Sequence, residues 1–434
     1  MQTELDRSFI DVPAGLAERL RDEALRLRTP LYAYDEERLE RDAAAIRSAF
    51  PDRSWTRLYS LKANGLPGLV RRIAARGFGA SAVSRGEIAL ALRAGLPPDR
   101  IALEGVGKTA ADLRLAVELA AQGRPLLWVS VESMEEAESL ADLAARSLPS
   151  RGRLDVLVRV NPSVEPETHA GLAVGRGTSK FGVAASEVAD VIRAGGGTKG
   201  PLRWRGLHVH VGSQLASVEA WRTAMFHVLG HFAALKERHP ELDTVDVGGG
   251  LPAGLADGPP PKDFADGYAE ALRSIPASAR PRRQAVEPGR SVIASSGWLV
   301  SRVLHVRDRG AAGSSGGGRQ VVIDAGMTEI VRPALYGAEH PIVALTSLGT
   351  PVNGTSELSP VVVDGPICES TDRLGAALLP QMERGDLVAI GMAGAYASAM
   401  FSSYNGRPRP PEVYLERGGS RTVLRRRGSL LALP

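Results

Sequence analysis

"RLYSLKANG", residues 57–65, runs a strand-like pattern into a lysine and then into Ala-Asn-Gly. Lysine is rare here, occurring only at 62, 108, 180, 199, 236 and 262 among 53 Lys plus Arg, so Lys62 at a strand end invites a chemical explanation. The same strand-then-turn pattern recurs as "GASAVS" (79–84), "RIALEG" (100–105), "LLWVSV" (126–131), "DVLVRV" (155–160), "GLHVHV" (206–211), "TVDVGG" (244–249) and "RQAVEP" (283–288). Between these runs lie Ala- and Leu-rich segments with apolar residues at helical spacing, such as "RGEIALALRAGL" and "TAADLRLAVELAAQ". Eight strands alternating with helices predict an α/β fold, a parallel (β/α)8 TIM-type barrel whose closure removes both sheet edges. An open doubly wound sheet shares the pattern and stays open at this stage.

After residue 291 the texture changes to strand-like runs joined by turns, including "SVIASSGWLVSRVLHVRD", "RQVVIDAG", "SPVVVDGP", "GDLVAIGM" and "PEVYLERG". These predict a mostly antiparallel β-barrel or sandwich domain, which the strand-like "TPLYAYD" near the start would join. The expected division is 36–290 for the barrel and 1–35 plus 291–434 for the β domain. "RGAAGSSGGGRQ" (309–320) has the composition of a hairpin tip.

The 434 residues carry a formal net charge of 53 − 49 = +4 and a hydrophobic fraction of 44%, which suits two ordinary domains. The basic residues are dispersed apart from "RTVLRRRG", read as a solvated strand face, so no nucleic-acid partner is expected. The single cysteine, Cys368, excludes an intrachain disulfide and suits a reducing cytoplasm. The opening segment lacks a secretory apolar core, and no apolar run approaches a membrane span.

In such barrels chemistry collects at the C-terminal ends of the strands. Four of those ends bring Lys62, the "HVHVGSQ" segment with His208, His210 and Ser213, the glycines 248–250, and "EPGR" with Glu287 and Arg290. Glycines leave backbone N–H groups free to approach an anion, and a lysine desolvated at a barrel mouth can attack a carbonyl to form a Schiff base. A phosphate cradle, a lysine and a carboxylate meet the needs of pyridoxal phosphate, which carries an aldehyde, a phosphate and a ring nitrogen best kept protonated.

These residues, with "YSLKAN", "TSKFGV", "GLHVHVGSQ", "VDVGGG", "EPGRS", "RPALYGAEHPI", "GPICESTD", "GAYASAM" and "YNGRPRP" in that order, resemble the alanine-racemase-like class of pyridoxal phosphate enzymes and, within it, the diaminopimelate decarboxylase family. The resemblance implies decarboxylation of meso-2,6-diaminopimelate to L-lysine, by a homodimer sharing its active sites between subunits. By the same resemblance Lys62 carries the cofactor, His210 stacks on its ring, Glu287 pairs with the ring nitrogen, and Ser213, Gly249, Gly250 and Tyr396 hold the phosphate. Arg290, Arg332 and Tyr336 would grip the distal carboxylate, with Tyr396 nearby, and Glu369 the distal ammonium. Cys368, contributed by the second subunit, would protonate the carbanion, although a lone cysteine is more commonly a small buried apolar residue.

The chain departs from the family at Ser81, where an acidic residue is usual, and in the Gly-rich insert at 309–318. Both leave room for another carboxylated or basic amino acid as substrate. A metal-dependent hydrolase built on His208 and His210, with His227 and His231 at helical spacing, is a rival that lacks evident acidic ligands at strand ends. A racemase or a cofactor-binding protein without catalysis would keep some of the same parts.

Overall fold

The computed structural model describes residues 12–51, 54–150, 152–164, 179–255, 258–308, 318–352 and 357–430. The chain forms two compact units, one of Ala43–Pro252 with Gly258–Val292, the other of Met1–Asp42, Ala253–Asp257 and Ile293–Pro434. In chain order, α1 (Ala14–Leu27), β1 (Leu31–Asp35) and α2 (Glu36–Ala49) lead into the first of eight barrel strands.

Those strands are β2 (Trp55–Ser60), β3 (Gly79–Ala82), β4 (Ile101–Leu103), β5 (Trp128–Val131), β6 (Leu154–Val160), β7 (Leu202–Val209), β8 (Thr244–Asp246) and β9 (Arg283–Val286). Neighbours pair in parallel around a closed ring, and the ring shuts where Trp55, Thr56 and Arg57 of β2 meet Gln284, Ala285 and Val286 of β9. Closure decides against the open sheet. Leu58, Ala102, Trp128, Leu157 and Ala285 form one buried cluster among these strands, a single large ring fitted between smaller side chains. The crossovers include α3 (Pro67–Ala75), α4 (Arg85–Arg93), α5 (Ala110–Ala121), α6 (Met134–Ser147), α7 (Val188–Ala194), α8 (Glu219–Arg238) and α9 (Pro261–Arg273).

Three consecutive strand-to-helix loops end in a hydroxyl cap. Ser84 accepts the Glu87 amide at 3.3 Å, Ser133 accepts the Glu136 amide at 3.1 Å, and Thr109 with Asp112 closes a capping box. Each satisfies an amide that the first helical turn leaves without a partner.

The last residues of the barrel unit and Ile293 form the short helix α10 (Arg290–Ile293), so residues 291–293 are helical where a strand was expected. The Ser296 hydroxyl donates to the Ile293 carbonyl at 2.9 Å and ends that turn before β10 (Gly297–Asp308) starts. There follow β11 (Arg319–Ile323), α11 (Arg332–Tyr336), β12 (Ile342–Ala344), β13 (Thr346–Ser347), β14 (Thr350–Pro351), β15 (Ser359–Asp364), β16 (Arg373–Leu379), β17 (Leu387–Ile390), β18 (Glu412–Leu415) and β19 (Arg421–Arg425). Nine strands make one sheet along β16-β15-β11-β10-β1-β18-β19, with β17 joined to β10 and β12. Antiparallel pairing predominates, while β1–β18 and β11–β15 run parallel. Leu16, Leu20 and Ala24 repeat every four residues along α1 and bury against Leu31, Ala33, Trp298, Val300, Val413 and Leu415 of the sheet. The insert at 309–317 lies outside the described residues.

The barrel tolerates no side chain at Gly206, because a Cβ there would stand 1.7 Å from the Thr244 carbonyl oxygen of the adjacent strand. Gly206→Ala should cost ~3 kcal/mol or more in urea unfolding, at the top of the usual overpacking range because the obstacle is backbone. Gly230→Ala on α8, with nothing within 4 Å of the new Cβ, should instead gain about 0.5–1 kcal/mol. Equal effects from the two would sink the steric account of β7–β8 contact.

Candidate active site

The strands deliver their chemistry one or two residues past their ends. β2 stops at Ser60, and Lys62 sits on the 3-10 turn Leu61–Ala63, exposed at the barrel mouth rather than buried there. The Ser60 amide donates to the Pro288 carbonyl at 3.2 Å, and its hydroxyl donates to the Glu287 carbonyl at 3.0 Å. Glu287 in turn donates its amide to the Gly248 carbonyl at 2.8 Å. Lys62, the glycine run and Glu287 are therefore placed by one chain of backbone hydrogen bonds.

The glycine run is steric in origin. A Cβ on Gly249 would lie 2.4 Å from the Glu287 carbonyl oxygen, and one on Gly250, at φ +104°, would lie 2.7 Å from that of Gly212. The Gly249 amide donates to His210 Nδ1 at 3.0 Å, which leaves Nε2 as the protonated nitrogen of a neutral ring. Burial first, then the cations Lys62 and Arg159, hold His210 well below the ordinary histidine range, so the neutral ring is the stable one. Arg290 is buried and its Nη2 donates to the Ser213 hydroxyl at 3.3 Å.

Deeper in the mouth the expected acid, Glu287, is joined by two that the sequence did not assign. Glu104 and Asp246 are buried with it, together with His208. One atom each of Glu104, His208 and Glu287 falls within 4.8 Å of the other two, with His208 Nε2 3.5 Å from Glu287 and 3.9 Å from Glu104. The metal-hydrolase reading lacked acidic partners for its histidines; the fold supplies two, although His208 Nδ1 is already bound to the Ser130 hydroxyl at 2.9 Å. His227 and His231 stand exposed on α8.

Burial opposes charge on every carboxyl here. It raises Glu104 and Asp246 far above the usual carboxylate range, with Glu287 adding to both shifts. Burial acts on Glu287 too, but the polar side chains of Glu104 and His208 beside it outweigh burial and hold Glu287 well below the usual range. The signal for Glu104 and Asp246 was an acid inside each apolar run, "IALEG" and "TVDVGG".

In the β unit, Arg332 is buried and its Nη1 meets His340 Nε2 at 3.1 Å, while His340 Nδ1 meets the Gly391 carbonyl at 2.9 Å. Guanidinium only donates, so Nε2 accepts and Nδ1 carries the proton given to Gly391. His340 thus orients Arg332, and the half-buried Tyr336 ends the same helix. Tyr396 adopts φ +57°, an uncommon conformation for a residue with a side chain.

Cys368 is exposed, not the buried apolar residue that a lone cysteine usually is. The turn presenting it is anchored by Asp372, whose carboxylate accepts the amides of Ile367 at 2.7 Å and Met327 at 2.5 Å. Glu369 beside it is exposed and accepts the Tyr404 hydroxyl at 2.8 Å.

Pyridoxal phosphate fits the barrel residues. Glu287 Oε1 is buried with no hydrogen-bond partner, as required of an oxygen reserved for a ring N–H. Gly249 and Gly250 admit no side chain, as required of a phosphate cradle. Lys62 offers an accessible amine.

The family profile described as "Pyridoxal-dependent decarboxylase, pyridoxal binding domain" matches residues 36–294. The diaminopimelate decarboxylase of Aquifex aeolicus is 35% identical over 413 residues, covering 94% of this chain and 91% of that protein. The one from Deinococcus radiodurans is 37% identical over 417 residues, covering 94% and 95%. The crystal structure of diaminopimelate decarboxylase from Helicobacter pylori complexed with L-lysine superposes with a TM-score of 0.83 at 33% identity, covering 94% of this chain and 97% of that one. The chain therefore belongs to the pyridoxal-dependent decarboxylases, in the diaminopimelate decarboxylase family.

Proposed function

We propose that this chain decarboxylates meso-2,6-diaminopimelate to L-lysine and carbon dioxide with pyridoxal phosphate, as a cytoplasmic homodimer whose cofactor module is residues 36–290. The observation that carries this is the buried Glu287 carboxylate with an unpaired oxygen beside a neutral His210 and a glycine cradle, on a chain that covers nearly the whole of its relatives. The relatives favour this substrate over another carboxylated or basic amino acid.

Bound there, the cofactor supplies an aldehyde that condenses with amines and a ring that accepts the electron pair left by departing carbon dioxide. Lys62 would hold the cofactor through its amine, which is accessible at the barrel mouth. Glu287, ionised, keeps the ring nitrogen protonated, and His210, neutral, covers a ring face without adding a competing charge. The turn at Gly249 and Gly250, with the hydroxyls of Ser213 and Tyr396, would hold the phosphate, the Gly250 N–H serving as donor because that of Gly249 is given to His210.

Arg290, Arg332 and Tyr336 take the distal carboxylate, for which guanidinium provides a planar fork of donors. Glu369 takes the distal ammonium. Cys368 of the partner subunit gives its thiol proton to the α-carbon, replacing the lost carboxylate with hydrogen. Its exposure on the single chain suits a residue that serves a neighbouring subunit.

Carbon dioxide release should occur from meso-diaminopimelate and not from L-lysine, L-ornithine or L-arginine, because two arginines facing a substrate without a distal carboxylate would remain uncompensated. Lys62→Ala should lower release roughly a thousandfold or more. Preference for another amino acid would remove Arg290, Arg332 and Glu369 from their roles while leaving the cofactor chemistry standing.

Subunit sharing is tested by mixing two inactive proteins, Lys62→Ala and Cys368→Ala, under conditions of subunit exchange. Random reassortment should restore about a quarter of the sites, since half the dimers are mixed and each mixed dimer has one intact site. No recovery, with exchange verified by mass spectrometry of tagged subunits, would refute the shared site.

A further inference from the structure

The barrel mouth holds a buried acid to which the proposed reaction gives no role, Glu104. The Ser81 hydroxyl donates to Glu104 Oε2 at 3.0 Å, reaching across from β3 to the residue that follows β4. Glu104 is buried beside Glu287 and His208, and its second oxygen, Oε1, has no hydrogen-bond partner. The Glu104 side chain thus brings a carboxyl to the place a residue 81 acid would reach.

We propose that Glu104 is a positioning residue: a carboxylic acid, held by Ser81, whose proton is shared with Glu287 and fixes Glu287 as the ionised partner of the cofactor's ring nitrogen. Two carboxyl groups this close in an apolar mouth cannot both be charged, so one retains a proton, and that proton becomes a hydrogen bond. The shifts of the two groups run in opposite directions, upward for Glu104 and downward for Glu287. A carboxylate deprived of such a donor is the stronger base and draws the proton away from the ring nitrogen.

The other groups around the pair do not substitute for Glu104. Asp246 is also buried, and its Oδ1 accepts the Gly248 amide at 2.9 Å, but the acid that stands with His208 and Glu287 in the group within 4.8 Å is Glu104. Arg159 is paired with Glu132 at 2.8 Å, and His208, bound to Ser130 through Nδ1, supports Glu287 with Nε2 only from 3.5 Å. Lys62 and His210 lie at the more exposed rim.

This inference rests on the pyridoxal phosphate reading, and the experiment separates the two. Protein is loaded with pyridoxal phosphate labelled with 15N in the ring; the nitrogen resonance reports its protonation, and titration of cofactor-free protein reports affinity. Wild-type protein that binds no cofactor would overturn the functional reading itself. Given binding, Glu104→Ala should move the resonance toward that of an unprotonated pyridine and weaken affinity roughly ten- to a hundredfold, the loss of one hydrogen bond to a charged group.

The double variant Glu104→Ala with Ser81→Asp should recover most of both, because it returns the acid from the neighbouring strand, a rescue that a merely structural residue would not show. Should Glu104→Ala fail to fold by circular dichroism, Ser81→Ala decides, with a smaller shift in the same direction expected. A folded Glu104→Ala, or Ser81→Ala, with the wild-type resonance and affinity would overturn the proposal. Stoichiometric zinc bound by cofactor-free protein and lost in Glu104→Ala would overturn it in favour of a metal site.

Discussion

The barrel's closure is the constraint on which the site depends. β9 pairs with β2, and at the C-terminal end of that seam Ser60 donates through both its amide and its hydroxyl to the backbone of Glu287 and Pro288. Residues more than two hundred positions apart in the chain are thereby held within a hydrogen bond of each other. Were the sheet open, β2 and β9 would be opposite edges, and Lys62 and Glu287 would have no common environment.

Closure also sets an electrostatic problem. Parallel strands ending at one rim bring Glu104, Asp246, Glu287 and His208 into a space with little water, where isolated charges are costly by several kcal/mol each. The solution visible here is protonation and pairing in place of hydration. Glu104 and Asp246 are pushed toward their neutral forms, His208 and His210 likewise, and Arg159 is matched by Glu132. Glu287 is the carboxyl of this group that its neighbours hold toward the charged form. The β unit uses a related device outside the barrel, where Asp372 gathers backbone amides to present Cys368 and Glu369 outward.

Much of this was legible from short-range pattern. All eight barrel strands were found, because apolar runs with turn residues at their ends are local signals, and so were intervening helices such as α4 and α5, while their hydroxyl caps went unread. Strand ends were less legible: Lys62 lies past β2, and 290–293 turn into helix, since backbone hydrogen bonds to distant residues decide where a strand stops. Glu104 stayed hidden because an acid in "IALEG" looks like an exposed end until β3 and β4 are laid side by side. His340 was equally silent, its role existing only through Arg332 and the Gly391 carbonyl.

The sequence by itself determined the barrel class, the change to a β-rich unit, the family and the cofactor. Those follow from periodicity and from residue types at strand ends, which are properties of neighbours along the chain. Only the tertiary structure decided which carboxyls burial pushes toward the neutral form, which nitrogen of His210 accepts a hydrogen bond, and that Cys368 and Lys62 are exposed. Protonation and exposure depend on what surrounds a group in space, and in a closed barrel those surroundings come from every strand at once.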